Sequence, residues 1–169
     1  TLEGGGIESD GQGTLLTTSE CLLSPNRNPH MSQNEIEQHL MHCFGAQKVL
    51  WLNHGYLAGD DTDSHIDTLA RFCTADTIAY VQCNDPADEH FEALRKMEAE
   101  LKAFRNLAGN PYRLVALPWP EPCYDAEGNR LPATYANFLI LNGAVLVPTY
   151  QVPQDREALE IMAGLFPDR

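Results

Sequence analysis

Positive charge is scarce: 11 Lys plus Arg stand against 24 Asp plus Glu, a formal net charge of -13. Nucleic-acid binding needs a concentrated basic face, and these cations are dispersed, so no nucleic-acid partner is expected. Long apolar runs are missing too. No window approaches the ~18 consecutive apolar residues of a membrane span. The opening Thr1-Leu2-Glu3-Gly4-Gly5-Gly6 has neither the basic nor the apolar region of a secretory signal, so no membrane partner is expected either. The five cysteines (Cys21, Cys43, Cys73, Cys83, Cys123) form no CxxC pair, and their odd number argues against a complete disulfide framework. Four sit inside apolar stretches and read as reduced, buried small hydrophobes of a cytoplasmic protein. Cys43 alone has a histidine beside it, His42 on the same predicted helix, and nothing else marks it as a nucleophile.

What is present makes a core. The chain is 43% hydrophobic before its 12 glycines are counted, which excludes wholesale disorder despite the charge and fits one domain or part of a larger one. Ser32-Gln33-Asn34-Glu35 is a capping box, with Ile36, Leu40, Cys43 and Phe44 following at helical spacing until Gly45. A second helix is predicted from Asp85-Pro86, with Leu94, Met97, Leu101, Phe104 and Ala108 on one face and Gly109 as its stop. A third carries Asp155, Ala158, Leu159, Met162, Leu165 and Phe166. The β-type runs are Thr14 to Thr18, Lys48 to Leu52, Ile66 to Cys73, Thr77 to Gln82, Tyr112 to Leu117, Tyr135 to Leu141 and Ala144 to Thr149, the last two joined by an Asn142-Gly143 hairpin turn. In order the elements repeat as strand, strand, helix, strand, with a period of about 60 to 70 residues and a third unit lacking its closing strand. The predicted units are 1–57, 58–120 and 121–169. An array ending on a helix reads as a piece of something longer.

The densest polar cluster is Asp60-Asp61-Thr62-Asp63-Ser64-His65-Ile66-Asp67. On a strand His65 and Asp67 would share a face, an imidazole beside a carboxylate, which suits acid/base work. Metal templates fit poorly. An EF-hand loop from Asp61 would want Gly and Glu where Ile66 and Phe72 stand, and His54 is on a different segment, too far to complete a zinc site. A solvated acidic turn is the plain alternative. Glu3 precedes three glycines, where a backbone can approach a ligand closely. Asn26-Arg27-Asn28-Pro29 reads as helix-entry loop. Asn137, in Pro132-Ala133-Thr134-Tyr135-Ala136-Asn137-Phe138, opens the third unit as His65 and Asp67 open the second and Glu3 the first. Front edges of units set around one axis would converge.

At these residues the chain resembles the agmatine deiminase and bacterial-type peptidyl-arginine deiminase family. The matching segments are Glu3-Gly4-Gly5-Gly6-Ile7-Glu8 with Gly13-Thr14-Leu15-Leu16-Thr17-Thr18; Cys21-Leu22-Leu23-Ser24-Pro25-Asn26-Arg27-Asn28-Pro29; Asp61-Thr62-Asp63-Ser64-His65-Ile66-Asp67; and Leu131-Pro132-Ala133-Thr134-Tyr135-Ala136-Asn137-Phe138. The resemblance implies an α/β fold, a five-bladed propeller of ββαβ modules, of which about two and a half are here. It implies hydrolysis of a guanidinium group to a ureido group and ammonia through a cysteine thiolate, with no metal or organic cofactor. His65 then resembles the general acid/base, Asp67 a carboxylate binding guanidinium nitrogens, and Glu3 the acidic partner that orients the histidine and faces the substrate. Asn137 falls in a motif near the substrate. The family's nucleophile lies in a later Gly-rich His-Cys segment, and a further guanidinium-binding Asp precedes Thr1; neither is in this sequence.

The expected activity of the full-length protein is therefore deimination of agmatine to N-carbamoylputrescine, a step toward putrescine, with arginine and peptidyl-arginine as other candidate substrates. The 169-residue chain alone is expected to be inactive, and its severed inter-module surfaces to make it poorly soluble, oligomeric or partly unfolded. The partner implied is a small cation, with a homo-oligomer open for the full-length protein. Two other readings stand beside it: a non-catalytic cation-binding module of the same fold, and, ranked last, a metal-dependent hydrolase built on Asp61, Asp63, His65 and Asp67.

Overall fold

A computed structural model describes residues 1–169, a mixed α/β chain. Glu8–Ser9 (β1) pairs antiparallel with Thr14–Thr18 (β2). The short helix Ser19–Leu22 (α1) and the longer Gln33–Phe44 (α2) then carry the chain over to Lys48–Leu52 (β3), which lies parallel to β2. The pattern returns downstream: Ala70–Thr74 (β4) is antiparallel to Thr77–Val81 (β5), and Phe91–Ala103 (α3) crosses over to Arg113–Leu117 (β6), parallel to β5. After a small hairpin of Cys123–Tyr124 (β7) and Arg130–Leu131 (β8), the pair Leu139–Ile140 (β9) and Val145–Leu146 (β10) leads into helix Gln154–Leu165 (α4). No helix is long and apolar enough to cross a membrane.

Local chemistry accounts for the boundaries. Ser32 and Glu35 close a reciprocal capping box at the start of α2, and Gly45, left-handed at φ 64°, ends it. Helix α3 buries Leu94, Met97 and Leu101, spaced by three and four residues, against the β4–β6 sheet core. Full burial of each contributes about 1.5–3 kcal/mol. All five residues of β2 are buried, as in strands covered on both faces. The buried core divides into a small cluster around α2 and β3 and a large one around the second sheet, which also takes in Tyr135, Phe138, Ala158 and Met162.

The structure corrects several predicted elements. Helix α3 begins at Phe91, because Asp85 and Asp88 spend their side chains on the backbone of Ala87 and His90 and form turns there. It ends at Ala103, where Arg105 caps the carbonyls of Lys102, Ala103 and Phe104; Gly109 serves a later turn at φ 82°. The Ile66 to Cys73 run is not one strand. Residues Ile66–Thr68 form a 3-10 turn, closed by Leu69 N–H donating to Ile66 O and by Thr68 Oγ1 donating to His65 O, and the strand starts only at Ala70. The Asn142-Gly143 hairpin is present, with Leu141 N–H donating to Ala144 O, but its strands are two residues each. Tyr135 to Phe138 bends instead, Phe138 N–H reaching back to Ala136 O.

Candidate functional site

The site forms at the C-terminal end of β2, where two adjacent hydroxyls hold two loops. Thr17 Oγ1 donates to Gly6 O at 2.7 Å, fixing the Gly4–Gly6 turn that follows Glu3. Thr18 Oγ1 donates to Ser64 O at 2.8 Å, fixing the loop that delivers His65. That loop is wound tightly: Asp60 Oδ2 accepts from Ser64 N–H at 2.8 Å, and Asp63 and Ser64 are both left-handed, at φ 59° and 58°. Non-glycine residues adopt that region at a cost of about 1–3 kcal/mol each, which the surrounding hydrogen bonds offset.

The two loops meet. His65 Nε2 lies 2.6 Å from Glu3 Oε2. The same oxygen accepts from Arg27 Nη1, while Arg27 Nε donates to Asp63 Oδ2 at 3.2 Å and Nη2 to Thr62 O at 2.9 Å. One planar guanidinium thus ties Glu3 to the loop bearing His65, a task its fixed fork suits. Gly5 lies against His65 and Asp67: a Cβ there would come within 2.6 Å of His65 Nδ1 and 2.7 Å of Asp67 Oδ2. Only glycine permits that approach.

Electrostatically the two carboxyls differ. Glu3, with its side chain 49% exposed, has its carboxyl held below the usual range by the Arg27 hydrogen bond and then by His65. Burial pushes the Asp67 carboxyl up, and the charges of Arg71 and His65 only partly oppose it. No other side chain donates a hydrogen bond to Asp67, so its ionised form would gain from a cation placed beside it.

Of the predicted residues, Glu3, His65 and Asp67 are brought together, although by a turn and not by strand alternation. Asn137 is exposed, and the carbonyls on either side of it accept from Arg71 Nη1 at 3.3 Å (Ala136) and 2.7 Å (Phe138). Neither arginine is marked by the sequence, in which Arg27 reads as loop and Arg71 as part of a strand; their partners lie 24 to 67 residues away. The cysteines stand apart. Cys21 Sγ lies beneath Gly6, but burial pushes its thiol up to about 11, and Cys43 is exposed on α2. No three His, Cys, Asp or Glu side chains are arranged to hold a metal ion. Asp60 and Asp63 are engaged within the loop and with Arg27, and His54 Nδ1 is 2.9 Å from Glu100 on α3.

The chain is similar to proteins named as agmatine or arginine deiminases. The chain is 34% identical to the agmatine deiminase of Pseudomonas fluorescens over 184 residues, 99% of this chain and 50% of that protein. A Porphyromonas gingivalis structure, assigned provisionally as an arginine deiminase, is 60% identical with a TM-score of 0.97, covering 99% of this chain and 49% of that one. A cysteine-to-serine variant of C. jejuni agmatine deiminase with substrate bound is 44% identical, TM-score 0.93, covering 99% and 48%. The chain thus spans about half the length of the relatives it matches. With the Porphyromonas-type peptidyl-arginine deiminase model matching residues 1–169, the chain belongs to that family.

Proposed function

We propose that this chain supplies the His65, Glu3 and Asp67 side of a guanidine deiminase centre whose substrate is agmatine. The observation that carries the reading is the convergence on His65: its Nε2 is held 2.6 Å from Glu3, while its Nδ1 and the Asp67 carboxylate both lie against Gly5. A guanidinium keeps its charge at any ordinary pH and is held best by ionised carboxylates in forked hydrogen bonds. Asp67 offers such a carboxylate, partly buried and without a side-chain donor. The relatives named agmatine deiminase support the choice of substrate, and the C. jejuni variant that holds its substrate has a cysteine replaced.

In this reading a cysteine thiolate from another part of the protein attacks the guanidinium carbon and forms a C–S bond. The C–N bond breaks and ammonia leaves with a proton from His65. Water, deprotonated by His65, then attacks the same carbon, the C–S bond breaks, and the thiolate returns. The sum is agmatine plus water to N-carbamoylputrescine plus ammonia. Glu3 orients the imidazole and supports its charged form, and Asn137 borders the substrate. No metal is called for. The two ββαβ sheets and the third partial unit, 1–57, 58–120 and 121–169, are read as consecutive blades of a five-bladed propeller in a cytoplasmic enzyme of putrescine formation. The net charge of -13 favours approach of a cation.

The test is ammonia release by the whole protein from agmatine, arginine and a peptidyl-arginine, in parallel with calorimetric binding. Release from agmatine in the presence of a chelator is the expected result. Binding of agmatine with no ammonia would replace this reading with the cation-binding module.

A further inference from the structure

The guanidinium of Arg71 joins three separate parts of the chain. Its Nε donates to Glu8 Oε1 in β1 at 2.6 Å, and its Nη1 donates to Phe138 O at 2.7 Å and Ala136 O at 3.3 Å, just before β9. Its carbon stands 5.0 Å from the Phe138 ring centroid. Both ends of the Arg71–Glu8 pair are mostly buried, so removing either would leave the other a poorly compensated charge. The two accepting carbonyls are those flanking Asn137, so the bend that presents Asn137 is built on Arg71. Asp67 is four residues upstream, across the 3-10 turn, and within reach of the same charge.

We propose that Arg71 is a positioning residue that sets Asp67 and Asn137 in fixed relation to one another, and with them the seat for a guanidinium group. The proposal rests on the deiminase reading for the identity of that ligand. Lysine would keep the charge at this position but could not serve Glu8 and two carbonyls in one plane. The charged groups whose fields reach Asp67 are Arg71 from β4, His65 and Asp60 from its own loop, and Glu8 from β1.

The experiment compares Arg71→Gln, Arg71→Lys and Glu8→Gln in the whole protein. It reads KM and kcat for agmatine per folded molecule, agmatine binding by calorimetry, and the Asp67 carboxyl titration by carbon-13 NMR. Arg71→Gln is expected to weaken agmatine binding and raise KM by about tenfold or more, the effect of removing one charge-assisted hydrogen bond, and to move the Asp67 titration upward in pH. Arg71→Lys should leave that titration near its original place yet still raise KM, because the charge remains and the fork is gone. Glu8→Gln, which removes a neighbouring anion, should move the titration downward. A purely structural arginine would lower the melting temperature without moving either readout. If Arg71→Gln does not fold, an unchanged KM in Arg71→Lys overturns the proposal. So does an Asp67 titration and agmatine affinity unchanged in both Arg71 variants. If the unaltered protein releases no ammonia, the deiminase reading falls by itself, and the Asp67 titration still decides whether Arg71 acts on it.

Discussion

His65 and His90 make an instructive pair. Both are buried at the entry to a helical turn, both lie 2.6 Å from a carboxylate, and in both cases an arginine shares that carboxylate: Arg27 for Glu3, Arg130 for Asp88. The inventory is the same and the settings are opposite. Asp88, 8% exposed, also accepts from Trp119 Nε1 at 3.1 Å, and His90 Nε2 accepts from the Ala58 N–H at 2.8 Å. The Tyr56 and Trp119 rings each pack with centroids 5.0 Å from His90. Every polar atom of His90 is occupied. At the first site Glu3 keeps one carboxylate oxygen without a partner, and neither His65 Nδ1 nor the Asp67 carboxylate, both packed against Gly5, has a side-chain hydrogen-bond partner. A saturated His–carboxylate–Arg set ties loops together; one left open on a side can bind and move protons.

The comparison breaks most visibly by exchange. His65→Gln is expected to lower ammonia release from agmatine by about 10³-fold, in the range for loss of a general acid/base, with the melting temperature nearly unchanged. His90→Gln should do the reverse, lowering the melting temperature while kcat per folded molecule stays within about threefold. Steady-state kinetics and calorimetry on both variants check this, and equal losses of activity would erase the distinction.

Asp88→Asn comes next, leaving Arg130 without its buried anion and costing about 3 kcal/mol of stability in urea titrations. Burial works against ionisation of Asp88, yet hydrogen bonds from Arg130, His90 and Trp119 hold its carboxyl well below the ordinary 3.8. Its folded pKa therefore lies under its unfolded one. The stabilisation is complete above about pH 4 and drains away as pH falls further, so the variant should lose less stability than the original protein between about pH 4 and pH 2. A parallel acid slope in both would contradict the tie.

Gly5→Ala sharpens the open side. The atoms nearest the new Cβ are side-chain ones, His65 Nδ1 and the Asp67 carboxylate, with no backbone among them, so the fold should hold while these two groups are displaced. Activity should fall by about 10²-fold, the scale for an ångström of misplacement, with the melting temperature unchanged within about two degrees.

The parts of this molecule legible in sequence were those whose causes are local. The Ser32–Glu35 capping box, the Gly45 stop, the α3 stripe of Leu94, Met97 and Leu101 and the Asn142-Gly143 hairpin each depend on residues a few positions apart. The β7–β8 hairpin escaped notice even so, although the Asp125 side chain, accepting from Glu127 and Asn129 N–H, and Gly128 at φ 86° are a local turn signal. His65 and Asp67 were found as a pair through strand alternation. The structure pairs them through a 3-10 turn that Asp60, Thr18 and Thr68 impose, a set of hydrogen bonds spanning up to 46 residues.

Residue type and short spacing were thus enough to place the three longer helices, though not the ends of α3, and to single out Glu3, His65 and Asp67 as candidate chemistry. Which histidine is open and which is closed was decided only in three dimensions. Asp88-Glu89-His90 looks as reactive in sequence as His65-Ile66-Asp67, and nothing nearby says that Trp119 and Arg130 will fold back over the first while a glycine from the chain's first turn will lie against the second. Solvent access and hydrogen-bond saturation belong to the packed chain, because they depend on which distant segments arrive and on what each leaves uncovered.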